Sequence, residues 1–341
     1  MKIDIKQHLY KFIYVSVRKN YIYVTNYWIF MIKLILLGIL SGAFFSTTFV
    51  FNDLMSVSGG HWLWSAILRY FFVIVFLVLV LFLQGGIKRI IDVSKLFMEN
   101  YLFWIITGTI GYGFFYALLC FSADYSPGWV IAATWQFTMF SGLFVFMLFG
   151  KKFPKKIWIF SFIIFVGVCL VNLSHMDSFD LKAFILGAVP VLIASFFYPM
   201  GNQLVWEAKN GNHKNVPQIT SKLLSNAFNK VFLMSIGSIP FWLILLAIIN
   251  PPSPSNSQII TTALIAFFSG ILATPIFLYA RNLAKDSNEI AAVDSTQASE
   301  VGFSLLGGMI FLGNASLNIF SIVGIALIIA GLLLFTKYQN S

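Results

Sequence analysis

The feature that most constrains this chain is a recurrence of apolar stretches, each long enough to cross a bilayer as a helix. A membrane-spanning helix needs about 20 mostly apolar residues. Ten such stretches lie at approximately 31–52, 62–84, 101–122, 127–149, 156–174, 181–203, 227–249, 258–280, 289–312 and 316–336. Their apolar runs are continuous and do not alternate, which argues against outer-membrane strands. The connections are short, the longest covering roughly 204–226, so no segment remains for a soluble catalytic domain. Composition agrees. Hydrophobic residues make up 59% of the chain and charged residues 10%, against about 25% charged in soluble domains. Mean hydropathy is +0.87. These values exclude an ordinary soluble enzyme, a disordered chain and a disulfide-stapled secreted module. The predicted fold class is an all-α integral membrane protein with ten transmembrane helices.

The net charge of +10 has its explanation in where the charges lie. With the N-terminus inside, the inner segments carry Lys2, Lys6, Lys11, Arg18 and Lys19, then Lys88, Arg89 and Lys95, then Lys151, Lys152, Lys155 and Lys156. Lys209, Lys214, Lys222, Arg281, Lys285 and Lys337 follow on the same side. The outer connections hold Lys182 beside Asp53, Asp124, Asp177 and Asp180. The positive-inside rule then predicts a multi-pass cell-membrane protein with both termini cytoplasmic. The charge is thereby accounted for without a nucleic-acid partner. Residues 1–30 are basic and aromatic, with Tyr10, Tyr14, Tyr21, Tyr23 and Trp28. They read either as a juxtamembrane segment on anionic lipid or as a stretch preceding a translation start at Met31. No cleavable signal peptide is recognised. Cys120 and Cys169 both fall within spans, and His8, His61, His175 and His213 are scattered. Neither a disulfide nor a metal site is expected, and no cofactor is implied.

A weak internal repeat accompanies the spans. At an offset of 161 residues Ala66, Arg69 and Phe71 fall on Ala227, Lys230 and Phe232; Ala123 and Ser126 fall on Ala284 and Ser287; Gln136 falls on Gln297. At a shorter offset Leu37-Gly38 and Asn52 match Leu186-Gly187 and Asn202. Each unit then holds five spans, at 31–174 and 175–341. An odd number of spans inverts the second unit in the membrane, an architecture common among secondary transporters that places the substrate site between the halves.

Four segments carry a resemblance: SGGHWLWSAILRYFF from Ser58 to Phe72, GYGFFYALLCFSADYSPGWVIAATWQ from Gly111 to Gln136, PVLIASFFYPMGNQ from Pro190 to Gln203, and AAVDSTQASEVGFSLLGG from Ala291 to Gly308. Over about residues 31–336 the chain resembles the putative multidrug-resistance efflux transporter family of the drug/metabolite transporter superfamily. The resemblance implies ten helices in two inverted five-helix repeats and export of a small-molecule substrate driven by protons. Substrate identity does not carry over, because the superfamily handles drugs, amino acids, sugars and other metabolites.

Ionisable side chains at bilayer depth cost on the order of 2.5–3.5 kcal/mol each. Arg69, Lys230, Asp294 and Glu300 qualify. Asp294, Gln297, Glu300, Ser304 and Gly308 form one helical stripe, which must face protein or water. Glu300 lies roughly 16 Å into its span, near the midplane. A carboxyl there can take up and release a proton as its access to water changes, and can attract a cation when ionised. Proton coupling by Glu300, assisted by Asp294 at the cytoplasmic mouth, is one reading. A structural ion pair such as Glu300 with Arg69 is a second, and a solvated cavity wall a third. Gln136 and Gln297 either bind substrate or join helices. Trp135 and Tyr116 either stack on a ligand or pack. Pro190, Pro199 and Pro275 predict kinks. Gly111, Gly113, Gly307 and Gly308 predict close helix approach. Trp62 and Trp64 suit the interfacial aromatic belt. No phosphate loop, nucleophile elbow or HExxH pair is present, so an enzyme is not expected. The leading function is proton-coupled export of small lipophilic or cationic compounds. A metabolite exporter or lipid-carrier translocase competes within transport, and a membrane enzyme or receptor from outside it. One chain holds both halves of a pathway, so oligomerisation is not required.

Overall fold

In a computed structural model the apolar runs become helices lying side by side. The structure describes residues 5–150, 155–174, 181–211, 213–284, 287–313 and 317–338. Lys2, Lys151, Lys152, His175, Asp177, Asp180 and Lys285 lie outside the described residues, as do the side chains of residues 5–28 with their tyrosines and Trp28.

In chain order the rods are α1 (Ile5–Val57), α2 (Trp62–Glu99), α3 (Tyr101–Ser122), α4 (Gly128–Leu148), α5 (Lys155–Ser174), α6 (Leu181–Asn210), α7 (Ala227–Ile249), α8 (Asn256–Arg281), α9 (287–312) and α10 (Ile319–Tyr338). Among the described residues, seven helices are long and apolar enough to cross a membrane: α2, α3, α4, α7, α8, Ile29–Val57 of α1 and Phe184–Asn210 of α6. Trp158–Ser174 and Ile319–Phe335 are shorter apolar helices. α9 runs in pieces, Ser287–Ser295, Thr296–Ala298, Ser299–Gly307 and Gly308–Leu312.

Starts and breaks follow from local chemistry. Side-chain oxygens of Asn226 and Ser255 accept backbone N–H groups at the starts of α7 and α8, and His61 Nδ1 accepts Leu63 N–H at the start of α2. Each satisfies a donor the helix cannot satisfy itself. α2 breaks at Gly85 and Gly86 and then continues to Glu99, beyond the expected end at 84. α3 carries a π-helical stretch, Thr109–Phe114. α8 carries another, Ala266–Ala273, just before Pro275, whose missing N–H disrupts the regular ladder. Pro190 and Pro199 are accommodated inside α6, which runs to Asn210 and not to 203. α4 is interrupted by a turn at Gln136 and Phe137.

With no hydrophobic drive between helices in lipid, close packing of small residues carries association. Gly38 and Gly42 of α1 receive Thr296 and Ser299 of α9. Gly111 of α3 meets Gly201 of α6: a Cβ at Gly111 would lie 3.0 Å from Gly201 Cα. α5 pairs with α10 reciprocally. A Cβ at Gly167 would lie 2.7 Å from Gly324 O and 2.9 Å from Ile328 Cγ1, and one at Gly324 would lie 2.8 Å from both Gly167 O and Val171 Cγ2.

The two ends are distinct. At the upper end Trp64 Nε1 donates to Pro252 O (2.7 Å), Ser56 Oγ to Asp124 (2.7 Å), Gly128 N to Asp53 (2.8 Å) and Gln258 Nε2 to His61 O (2.9 Å). At the lower end Asn226 donates to Gln84 (3.2 Å) and Arg89 to Asn229 (3.4 Å). Lys88, Arg89, Lys95, Lys209, Lys214 and Lys222 gather at that lower end.

Candidate functional site

Arg69 projects from α2 into the bundle. Its Nη1 donates to Thr48 Oγ1 of α1 at 3.3 Å and its Nη2 to Ser269 Oγ of α8 at 3.1 Å. Thr48 in turn donates to Ser269 at 2.8 Å. The guanidinium lies 4.1 Å from the ring centre of Tyr116 on α3. Asn52 Nδ2 donates to the Tyr116 hydroxyl at 3.1 Å. The site is thus built by side chains of α1, α2, α3 and α8, and Ser269 is presented by the π-helical turn of α8. Tyr70 lies beside it, stacked on Tyr112 (5.3 Å) and Trp242 (5.6 Å) and edge-on to Tyr116 (5.7 Å).

A second group of rings adjoins the first. Phe115 contacts Tyr116, Trp135 of α4 (4.9 Å) and Tyr198 of α6 (5.1 Å), and Trp135 meets Tyr198 at 5.8 Å. Tyr198 is held among these interior rings yet is 38% exposed. Asn202, one turn on, is exposed, and Trp206 after it is 42% exposed. Tyr198, Asn202 and Trp206, at i, i+4 and i+8, form one exposed line along α6 that leads from the interior rings toward the lower end. Asn52 of α1, near the upper end, is 3% exposed.

Glu300 sits on α9, 6% exposed, where Gly42 of α1 lets the α9 backbone approach. Tyr198 lies within electrostatic range of both Glu300 and Arg69. The Glu300–Arg69 ion pair does not form: Arg69 is held by hydroxyls and an aromatic face, and Glu300 has no ion-pair partner among the described residues. Asp294 instead pairs with Arg281 of α8, Nε to Oδ1 at 3.0 Å.

The remaining expected residues divide. Trp135, Tyr116 and Arg69 come together along the aromatic wall. Gln136 is buried and donates to Ala132 O of its own helix (3.3 Å), and no hydrogen bond joins it to Gln297. Lys230 is half-buried near the start of α7, with no ion-pair partner among the described residues. His61 caps α2, and no metal-holding cluster occurs among the described residues. Sequence reasoning passed over Thr48, Ser269, Tyr70, Tyr198 and Glu207. Glu207 is buried and accepts Gln203 Nε2 at 2.8 Å. It lies past the expected end of span 6 at 203, on the part of α6 that continues to Asn210. Asn202 and Tyr198 had a signal in the FFYPMGNQ segment. Thr48 and Ser269 had none, because hydroxyls are common in apolar helices.

Comparison with known proteins places this arrangement. A solved structure described as "Crystal structure of protein" matches with a TM-score of 0.54, covering 88% of this chain and 97% of that chain. At 12% identity the likeness is one of fold alone. "Uncharacterized protein YjlA" of Bacillus subtilis (strain 168) is 34% identical over 89% of this chain and 94% of its own length. An "Uncharacterized 42.1 kDa protein in intracellular alkaline protease 3'region" of Shouchella clausii is 32% identical over 82% of this chain and 75% of its own. The family described as "Putative multidrug resistance efflux transporter" matches residues 32–341. The expected family is the one found: the chain is a multi-pass membrane protein that belongs to the putative multidrug resistance efflux transporter family.

Proposed function

We propose that this chain is a secondary active transporter that exports small lipophilic or cationic compounds by proton antiport and alternating access. The observation that carries the reading is Glu300, a carboxyl buried at bilayer depth with no counter-ion among the described residues. Such a group has little reason to persist in a helix unless it is used. Proton and substrate compete for it, so release of one accompanies capture of the other. Asp294, held by Arg281, assists at the cytoplasmic mouth.

The architecture in this reading is ten spans in two inverted halves, 31–174 and 175–341, preceded by the basic segment 1–30. Three structural parallels support it. The interruptions of α4 at Gln136–Phe137 and of α9 at Thr296–Ala298 lie about one offset of 161 apart. The π-helical stretches of α3 and α8 overlap under the same shift. Gly167 and Val171 of α5 contact Ile328 and Gly324 of α10 in exchanged pairs, the pattern expected about a two-fold axis. The basic lower end is the cytoplasmic one, so the exposed line Tyr198, Asn202 and Trp206 leads toward the cytoplasm and the hydrogen-bonded connections lie outside. Metabolite export is the second reading, favoured by Arg69, whose uncompensated positive charge inside the bundle does not suit a purely cationic cargo.

Reconstitution tests the coupling. Proteoliposomes with an imposed pH gradient are loaded with a panel of labelled lipophilic cations. Glu300→Gln is expected to abolish gradient-driven accumulation while leaving facilitated, gradient-independent exchange. Undiminished gradient-driven transport by that variant removes Glu300 from the mechanism.

A further inference from the structure

We infer that Arg69, with Ser269 and Tyr116, forms a binding site for the carboxylate of a small organic anion. The inference rests on the transporter reading but not on proton coupling. Arg69 carries a permanent charge, and the groups around it, Thr48, Ser269 and Tyr116, are all uncharged. The charge is solvated without being neutralised. No acidic side chain reaches it within ion-pair distance among the described residues.

The hydrogen-bonding capacity left at the site is mostly donor capacity. Ser269 Oγ accepts from both Thr48 and Arg69, so its own hydrogen is free to point elsewhere. Tyr116 Oη accepts from Asn52 and lies within reach of the Arg69 guanidinium and the Cys120 thiol, and a carboxylate would accept its O–H in place of the sulfur. The guanidinium has five N–H groups and spends one on each hydroxyl, leaving a fork that matches two carboxylate oxygens. Converging donors around one positive charge select a monoanion, and a single arginine suits a carboxylate better than a phosphate dianion. A second observation points the same way. Asn52 Oδ1 is buried and unpartnered beside the same tyrosine. It is an acceptor waiting for an N–H or O–H on the body of the solute. Arg69 is not sealed off completely, although its guanidinium lies between α1, α3 and α8.

Equilibrium dialysis of the purified full chain in detergent tests this with radiolabelled benzoate, inorganic phosphate and tetraphenylphosphonium as probes. Benzoate is expected to bind and phosphate not. Arg69→Gln is expected to weaken benzoate binding at least about tenfold, in line with a lost charge-assisted hydrogen bond. Arg69→Lys should retain intermediate affinity. Tyr116→Phe, which keeps the ring and drops the hydroxyl, should weaken benzoate severalfold, and it reports on the site even where Arg69→Gln does not fold. Glu300→Gln should leave benzoate binding in place, so a failure of proton coupling does not imitate a failure of the anion site. Absence of benzoate binding by the unaltered chain overturns the inference. So does equal benzoate affinity in folded Arg69→Gln, or binding of tetraphenylphosphonium alone.

Discussion

Gly237 of α7 sits where a side chain has no room, because a Cβ there would meet the Trp104 carbonyl oxygen of α3. Backbone cannot step aside as a flexible side chain can, so Gly237→Ala must push two helices apart. Overpacking of this kind costs about 1–3 kcal/mol. Gly302 of α9 is the control, since nothing lies within 4 Å of a Cβ built on it. Gly302→Ala should be neutral or slightly stabilising, as alanine is favoured over glycine inside a helix by up to about 1 kcal/mol. Thermal unfolding in detergent distinguishes the two: a clear fall in midpoint for Gly237→Ala and none for Gly302→Ala. Equal midpoints would show that α3 and α7 are not in this contact. Nothing in the apolar run around Gly237 distinguishes it from Gly302. Arg69 and Glu300, by contrast, were legible at once, because a charge inside an apolar run is conspicuous. Their partners were not. Which hydroxyl faces Arg69 depends on how α1 and α8 are rotated, and hydroxyls occur on every side of those helices.

At the scale of elements the informative places are the interruptions. α2 reads as one apolar run followed by a charged connection, but it is a rod broken at Gly85–Gly86 with a helical tail to Glu99. Gly86 has φ 66° and ψ −166°, a region open essentially to glycine. No atom lies within 4 Å of a Cβ at Gly86, so a substitution there meets backbone strain alone. Gly86→Ala is expected to cost about 1–3 kcal/mol, read as a lower unfolding midpoint. An unchanged midpoint means that the tail can leave the rod at another angle. Of the three prolines at which kinks are expected, Pro275 follows a π-helical stretch and Pro190 and Pro199 sit inside α6. The glycine pair of α2, the Gln136 turn of α4 and the π-helical stretches are where helices depart from regularity. A π turn has no compositional signature. It arises where the rest of the bundle holds a side chain such as Ser269 one register away from its regular place.

For the molecule as a whole the sharpest expectation is orientation. In a background lacking Cys120 and Cys169, Ser253→Cys in the upper connection should react with an impermeant maleimide in intact cells. Lys214→Cys in the lower connection should react only after permeabilisation. The reverse pattern would invert the topology. The sequence by itself determined that this is a helical membrane protein, how many apolar runs it has, and which charges lie among them. Those properties follow from the length of an apolar run and from the cost of charge in hydrocarbon, which are local. The tertiary structure alone decided that Arg69 pairs with hydroxyls and not with Glu300, that Asp294 meets Arg281, and that Tyr198 and Asn202 are exposed. Those outcomes depend on the rotation of each helix about its axis. Rotation is set by glycines such as Gly42, Gly111 and Gly167 fitting against residues far along the chain, a distance that periodicity within one helix does not encode.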